Sequence, residues 1–353
     1  MKILGIFRGF PGLGRVVAGV SLLETIKMNY NCEIKIISYL QGNKYLEKKG
    51  YSELQEATPL DYCSIGLLPT NKMGKYIHNV IRQFCPDMVL LDGEPLLLQS
   101  LRISYPSMKL AVLLNPADVD NPDNDKEAMD FFNALYSLSD LAIVHGLRSI
   151  ANKYQYKKII SVGTILRPEI FKITNNPSKD IFCILGGGTI NVGHQFASST
   201  IRIAELCQKA ASYLPNHTMH IVCSSQNIFD AINENFSSEN VVIHNQVLPA
   251  EEFYSNASLI ITRSGRNTLS ELVYLGIPAL SFITGDMYRR AEQEQNFINL
   301  NATNVRSLSL NTSIDDFVSL IESLIKTGRC KNSFESGNAE AIRQIISLLS
   351  HED

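Results

Sequence analysis

Short apolar runs alternate with stretches of helical spacing along nearly the whole chain. Lys2 to Phe7, Glu33 to Tyr39, Pro86 to Asp92, Lys109 to Asn115, Leu141 to Val144 and Lys158 to Val162 read as strands. Most are apolar at consecutive positions, the pattern of strands covered on both faces of a parallel sheet. Between them, Val16, Val20, Leu23 and Ile26 keep helical spacing, and Glu127 to Leu138 reads as a further helix. Residues 41–80 are less regular and polar, either a connecting insertion or part of an acceptor surface. The segment 163–180, with Pro168 and Asn175-Asn-Pro-Ser178, reads as a linker. The rhythm then restarts, with strands at 181–185, 219–223, 241–243, 259–261 and 279–282 and two closing helices at 314–326 and about 338–349. The expected fold is α/β, with one parallel-sheet domain over 1–165 and a second over 175–335.

Composition narrows the function. A chain of 353 residues with 45% hydrophobic and 19% charged residues suits two ordinary globular domains. Its net charge of −3 argues against a nucleic-acid binder. No apolar run has the length of a membrane span, and the first strand lacks the pattern of a signal peptide. Peripheral contact with a membrane stays open. Seven scattered cysteines without a C-x-x-C suggest neither a disulfide framework nor a zinc knuckle, and they fit a reducing cytoplasm. His217 and His220 open a strand with a spacing that puts them on opposite faces, so no metal site is expected there.

The chemistry concentrates where strands end. Ile260 to Ala279 reads as a strand, a tight turn at Ser264-Gly265, a helix carrying Glu271, a stop at Gly276 and Pro278, and the next strand. A helix N-terminus behind such a turn favours an anion, and Glu271 lies where it would meet something polar attached to that anion. Gly186-Gly-Gly-Thr189 opens the second half after its first strand. It lacks the lysine of a phosphate-binding P-loop, yet three glycines allow backbone N–H groups close approach to a ligand. Together the two turns suit a diphosphate. Gly12-Leu-Gly14 follows the very first strand, but Val17 stands where a dinucleotide fingerprint needs glycine, which disfavours a nicotinamide enzyme.

The stretch Thr262-Arg-Ser-Gly-Arg-Asn-Thr-Leu-Ser-Glu271, continuing through Gly276-Ile-Pro-Ala279 to Glu292-Gln-Glu-Gln-Asn296, resembles the GT-B glycosyltransferases, specifically the MurG-like branch with its family 28 C-terminal domain. That resemblance implies two Rossmann-like domains facing across a cleft, with a last helix, about 338–353, packing back on the first. It implies a nucleotide-sugar donor, most often a UDP-sugar, and an acceptor that is a small molecule, a lipid-linked group or a glycan. It implies neither cofactor nor metal. Glu271 would accept hydrogen bonds from the ribose. Gly187, Gly188, Thr189, Ser264 and Gly265 would surround the diphosphate, with Gly14, Arg263, Asn267 and Thr268 also on the donor side. The backbone at Val247 and Leu248 would edge the base, and Glu292, Gln293 and Asn296 would reach the sugar.

One departure bears on catalysis. Relatives commonly carry histidine after the first glycine turn, and this chain has Arg15. Arginine stays protonated and is no general base, although it suits a leaving diphosphate or an anionic acceptor. The base would then be a carboxylate, Asp92, Glu94 or Asp118, or else His78. Two rivals follow: a nucleotide-sugar hydrolase on the same fold, in which water replaces the acceptor, and a catalytically inactive partner subunit.

Overall fold

The computed structural model describes all residues except 10–12, 40, 52–72, 152–153, 186–192, 224–225, 234–238, 246–249, 285–287, 331–333 and 351–353. The first half runs β1 (Lys2–Phe7), α1 (Gly14–Asn29), β2 (Glu33–Ile37), α2 (Gln41–Lys48), α3 (Met73–Phe84), β3 (Met88–Asp92), α4 (Pro95–Ser104), β4 (Lys109–Leu114), α5 (Pro116–Val119), α6 (Lys126–Tyr136), β5 (Leu141–His145) and β6 (Ile159–Val162). Its six strands are parallel, in the order β2-β1-β3-β4-β5-β6. Alternate residues serve opposite faces. Ile3, Phe7, Met88, Leu90, Ala111 and Leu113 pack with α1 on one side. Leu4, Ile6, Val89, Leu91, Leu110 and Val112 pack with α3 and α4 on the other. Burial on both sides is why these strands are apolar throughout.

The second half begins with a short 3-10 turn, Pro168–Lys172. It continues through β7 (Asp180–Ile184), α7 (Gly193–Ala211), β8 (Thr218–Val222), α8 (Gln226–Asn233), β9 (Val241–His244), α9 (Ala250–Asn256), β10 (Ala257–Arg263), α10 (Arg266–Leu275), β11 (Ala279–Phe282), α11 (Tyr288–Gln295), β12 (Val305–Leu308) and α12 (Ile314–Thr327), before α13 (Asn338–Ser350). The order β12-β11-β10-β7-β8-β9 is again parallel. Strand β12 departs from the sequence expectation. Its central residues, Arg306 and Ser307, are exposed on an edge, so it has no apolar run to read.

The chain divides into two compact units, one of residues 1–166 with 336–353, the other of 167–335. The segment expected as a linker is therefore ordered at both ends. Its first residues belong to the first unit, where the chain returns alongside them. Leu166 N donates to Asn338 Oδ1 at 2.8 Å, Asn338 Nδ2 donates to Leu166 O at 2.9 Å, and Gly337 N donates to Thr164 O at 3.0 Å. A Cβ on Gly337 would stand 1.9 Å from Gly163 O, so only glycine permits this approach. Ala341, Ile342 and Ile345 of α13 then join the core beneath α1. The other end, Pro168–Lys172, buries Ile170 in the second unit.

In each sheet the strand order reverses at one place, between β1 and β3 in the first and between β7 and β10 in the second. Crevices outside the carboxyl ends of strands at such points are where open α/β sheets bind ligands.

Candidate functional site

At the second switch point β10 ends in Arg263, and the chain turns through Ser264 and Gly265 into α10. Ser264 is fixed by the sheet. Its Oγ donates to Phe282 O at 3.0 Å and lies 3.0 Å from Ser281 Oγ, so the hydroxyl anchors the turn. Gly265 is the N-cap, in extended conformation, and no side chain caps the helix. A Cβ there would meet nothing within 4 Å. Neither backbone conformation nor packing calls for glycine at 265, which fits a residue kept small for a ligand. Two arginines flank this end. Arg263 donates to the Thr284 hydroxyl at 2.8 Å from Nη2 and 3.2 Å from Nε, and to the Thr200 hydroxyl at 3.1 Å from Nη1. Arg266 Nε reaches Asn267 Oδ1 at 3.3 Å, and Thr268 is half-buried in the same first turn. An uncapped helix N-terminus with arginines beside it favours an anion.

Glu271 lies further along α10 and is 5% exposed. Arg167 grips it with both prongs, Nε to Oε1 at 2.7 Å and Nη2 to Oε2 at 2.9 Å, and the Tyr254 hydroxyl donates to Oε2 at 2.6 Å. Burial pulls the Arg167 pKa down, but the Glu271 charge and hydrogen bonds more than offset this and raise it. Burial and Glu271 hold the Tyr254 phenol protonated well above its usual range. The carboxylate expected to meet a ribose is thus oriented by two protein donors. Neither was anticipated. The signal for Arg167 is a lone cation among buried Ile165, Leu166 and Ile170, since an enclosed charge needs a partner. Tyr254 gives no comparable signal.

The sugar-side residues lie on α11 and just beyond it. Gln293 Oε1 accepts from Thr284 N at 2.8 Å, which links it to Arg263 through Thr284. Asn296 is buried, with its N–H donating to Glu292 O at 3.2 Å. Gly187, Gly188, Thr189, Val247 and Leu248 lie outside the described residues. Among the described residues no cluster of three or more His, Cys, Asp or Glu side chains is arranged for a metal ion.

At the first switch point Arg15, in the first turn of α1, meets the ends of β3 and β4, with Gly14 starting the helix beside it. Its Nη1 donates to Asp92 Oδ1 at 2.5 Å. Nη1 and Nη2 bind Asp118 as a fork, at 3.0 and 2.7 Å. Asp118 also accepts from Asn115 N at 2.8 Å in a capping box on α5. Burial would raise the Asp118 pKa, but Arg15 and this backbone N–H outweigh it and leave the carboxyl below its ordinary value. Arg15, read from sequence as a partner for a diphosphate or an anionic acceptor, is held here by two aspartates. Next to it, Gly93 turns the chain at φ +85, a left-handed conformation natural to glycine, just before Glu94. Glu94 is 4% exposed; its Oε1 accepts a short hydrogen bond from the Tyr39 hydroxyl and a 3.4 Å contact from Arg8 Nε. His78 lies elsewhere, 3.0 Å from the Tyr105 hydroxyl, beyond the far end of α4.

The model of the glycosyltransferase family 28 C-terminal domain matches residues 190–345. Curated protein sequences give no match. Among solved structures, the chain is similar to the glycotransferase of kitacinnamycin, at 13% identity over 99% of this chain and 94% of that one, with a TM-score of 0.64. It is similar to MurG of Acinetobacter baumannii at 14% identity over 98% and 100%, with a TM-score of 0.60. It is similar also to the UDP-GlcNAc 2-epimerase of Methanocaldococcus jannaschii, solved with UDP-GlcNAc and UDP, at 16% identity over 98% and 99%, with a TM-score of 0.61.

The architecture is that of the GT-B proteins, two α/β units each built on a six-stranded parallel sheet. The match to the glycosyltransferase family 28 C-terminal domain falls mostly on the second unit.

Proposed function

We propose that the chain moves a sugar from a nucleotide sugar, a UDP-hexose in the simplest case, to an acceptor hydroxyl or amine. The observation that carries this reading is the uncapped N-terminus of α10, opened by Gly265 and flanked by Arg263 and Arg266, with the buried carboxylate of Glu271 on the same helix. A diphosphate at the helix end would leave with its charge met by the dipole and the guanidinium groups, a means that requires no metal. Glu271 has about four acceptor positions. Arg167 and Tyr254 use three of them, leaving room for a ribose hydroxyl on an oriented carboxylate. The similar epimerase is described with UDP-GlcNAc and UDP, which makes UDP-GlcNAc the first donor to try. The nucleotide sugar is read as a substrate with no cofactor, and scattered free cysteines suit a reducing cytoplasm.

Calorimetry with UDP-, TDP- and GDP-sugars tests the reading. At least one should bind, and Glu271→Ala should abolish binding. If none binds, or Glu271→Ala binds as the parent does, the donor site is misassigned. A hydrolase reading is favoured if nucleoside diphosphate is released at full turnover rates with no acceptor present. The inactive-subunit reading draws on Arg15, which cannot act as a base; it fails if any sugar is transferred.

A further inference from the structure

The first rim holds three carboxylates, and they are not equivalent. Asp118 has both oxygens on the Arg15 fork and a backbone N–H besides. A carboxylate so tied is a weak proton acceptor. Asp92, 1% exposed, gives Oδ1 to the same guanidinium, and its Oδ2 is sealed from solvent, out of reach of an acceptor. Glu94 differs in its connections. Both of its protein donors, the Tyr39 hydroxyl and the distant Arg8 Nε, converge on Oε1. Among the described residues, Oε2 accepts from no protein group. Glu94 is also the N-cap of α4, where a carboxylate would ordinarily bond the first amides of its own helix; it makes no such bond, and Pro95 follows. One oxygen of the side chain is thus anchored by groups that follow β1 and β2, and among the described residues the other has no protein donor.

We propose that Glu94 is the general base for the acceptor, with Oε2 as the atom that takes the proton and with Tyr39 and Arg8 as positioning residues on Oε1. This assignment rests on the glycosyl-transfer reading. The attacking oxygen or nitrogen of the acceptor bonds to the anomeric carbon. The bond from that carbon to the diphosphate oxygen breaks, its electron pair leaving with the nucleoside diphosphate, and the acceptor's proton passes to Glu94 Oε2. Burial holds the Glu94 carboxyl above its ordinary pKa, against the pull of Arg8, of the Tyr39 hydrogen bond and of Arg15, so it is a stronger base than an exposed glutamate. Arg15 then has a structural part: it holds Asp92 and Asp118 in place beside the base.

The test uses the full-length protein and Glu94→Gln, with UDP-GlcNAc and the other nucleotide sugars of the panel as donors. Water and methanol serve as acceptors, and release of nucleoside diphosphate is followed. Glu94→Gln is expected to bind donor with unchanged affinity and to release nucleotide at least about 100-fold more slowly. Sodium azide, a nucleophile that carries no proton to remove, should restore release in the variant while adding little to the parent. Unchanged release in Glu94→Gln, or slowed release that azide does not restore, overturns the assignment. Absence of any donor binding in the parent is a different failure and removes the transfer reading itself. An infrared titration of the carboxyl groups needs no donor. A carboxyl that ionises above 4.5 in the parent and is missing in Glu94→Gln is expected, and ionisation at or below that value overturns the proposal.

Discussion

The rim of the first sheet sets Arg8 and Arg15 against Asp92, Glu94 and Asp118, whereas that of the second sets Arg167, Arg263 and Arg266 against Glu271. With every group ionised, and Glu292 of the sugar side counted with the second rim, these sum to one negative charge on the first rim and one positive charge on the second. The folds beneath are alike: parallel strands, a reversal of order, a helix starting at the crevice. What differs is where the arginine charge goes. On the first rim Arg15 is matched to aspartates, which leaves a surplus carboxylate suited to accepting a proton. On the second, Arg263 and Arg266 reach hydroxyl and amide oxygens near a helix N-terminus, which suits an incoming anion. The same scaffold is thus tuned to opposite tasks by a few side chains at strand ends.

The largest expected effect tests the first half of that contrast. Arg15→Ala leaves Asp92 and Asp118 enclosed without their counter-charge and should lower stability by about 3–5 kcal/mol in urea unfolding. Arg15→Lys should recover little, because the fork that binds Asp118 is lost. A loss below about 1 kcal/mol for Arg15→Ala would mean that this ion cluster does not hold the rim together. On the second rim, Glu271→Gln should weaken UDP-GlcNAc binding by roughly 10- to 100-fold, the scale of a charged hydrogen bond. Equal calorimetric affinity in parent and variant would break the contrast from that side.

Acid titration separates the rims' carboxylates by sign. The folded pKa of Asp118 is lowered, so its contribution is present above the ordinary value of 3.8 and is lost as pH falls through the folded value. That of Glu94 is raised, so its contribution is present below 4.5 and is lost as pH rises through the folded value. Unfolding free energies of Asp118→Asn should therefore fall less steeply in acid than those of the parent, and those of Glu94→Gln should decline less from pH 4.5 upward. Opposite slopes would reverse the roles assigned to these groups. The smallest effect falls on stability at Gly265. Gly265→Ala has room and an ordinary backbone conformation, and the poorer N-cap is offset by a stiffer unfolded chain, so stability should change by no more than about 0.5 kcal/mol while donor affinity drops. If affinity holds too, that glycine is not kept for a ligand.

Much of this was legible in the sequence, for a definite reason. Strands covered on both faces announce themselves as apolar runs, so β3, β4, β5 and β10 stand out, while edge strand β12 with Arg306 and Ser307 does not. The turn at Ser264 and Gly265 was readable because it sits between two such runs. Partnerships were not readable. Arg167 is 104 positions from Glu271, and Arg15 is 103 from Asp118, and nothing local in one sequence states which distant charges meet. Glu94 could be nominated with its neighbours, but only the paths of Arg15 and Tyr39 separate it from them.

The return of α13 to the first unit has a consequence for synthesis. The second unit is complete once residue 335 has left the ribosome, so it can fold while the first still lacks a helix. The first unit must wait for Ala341, Ile342 and Ile345 to cover the face beneath α1. Each fully buried isoleucine contributes about 1.5–3 kcal/mol, against a typical domain stability of about 5–15. The unit made first is therefore completed last, by residues that follow the whole of the unit inserted within it.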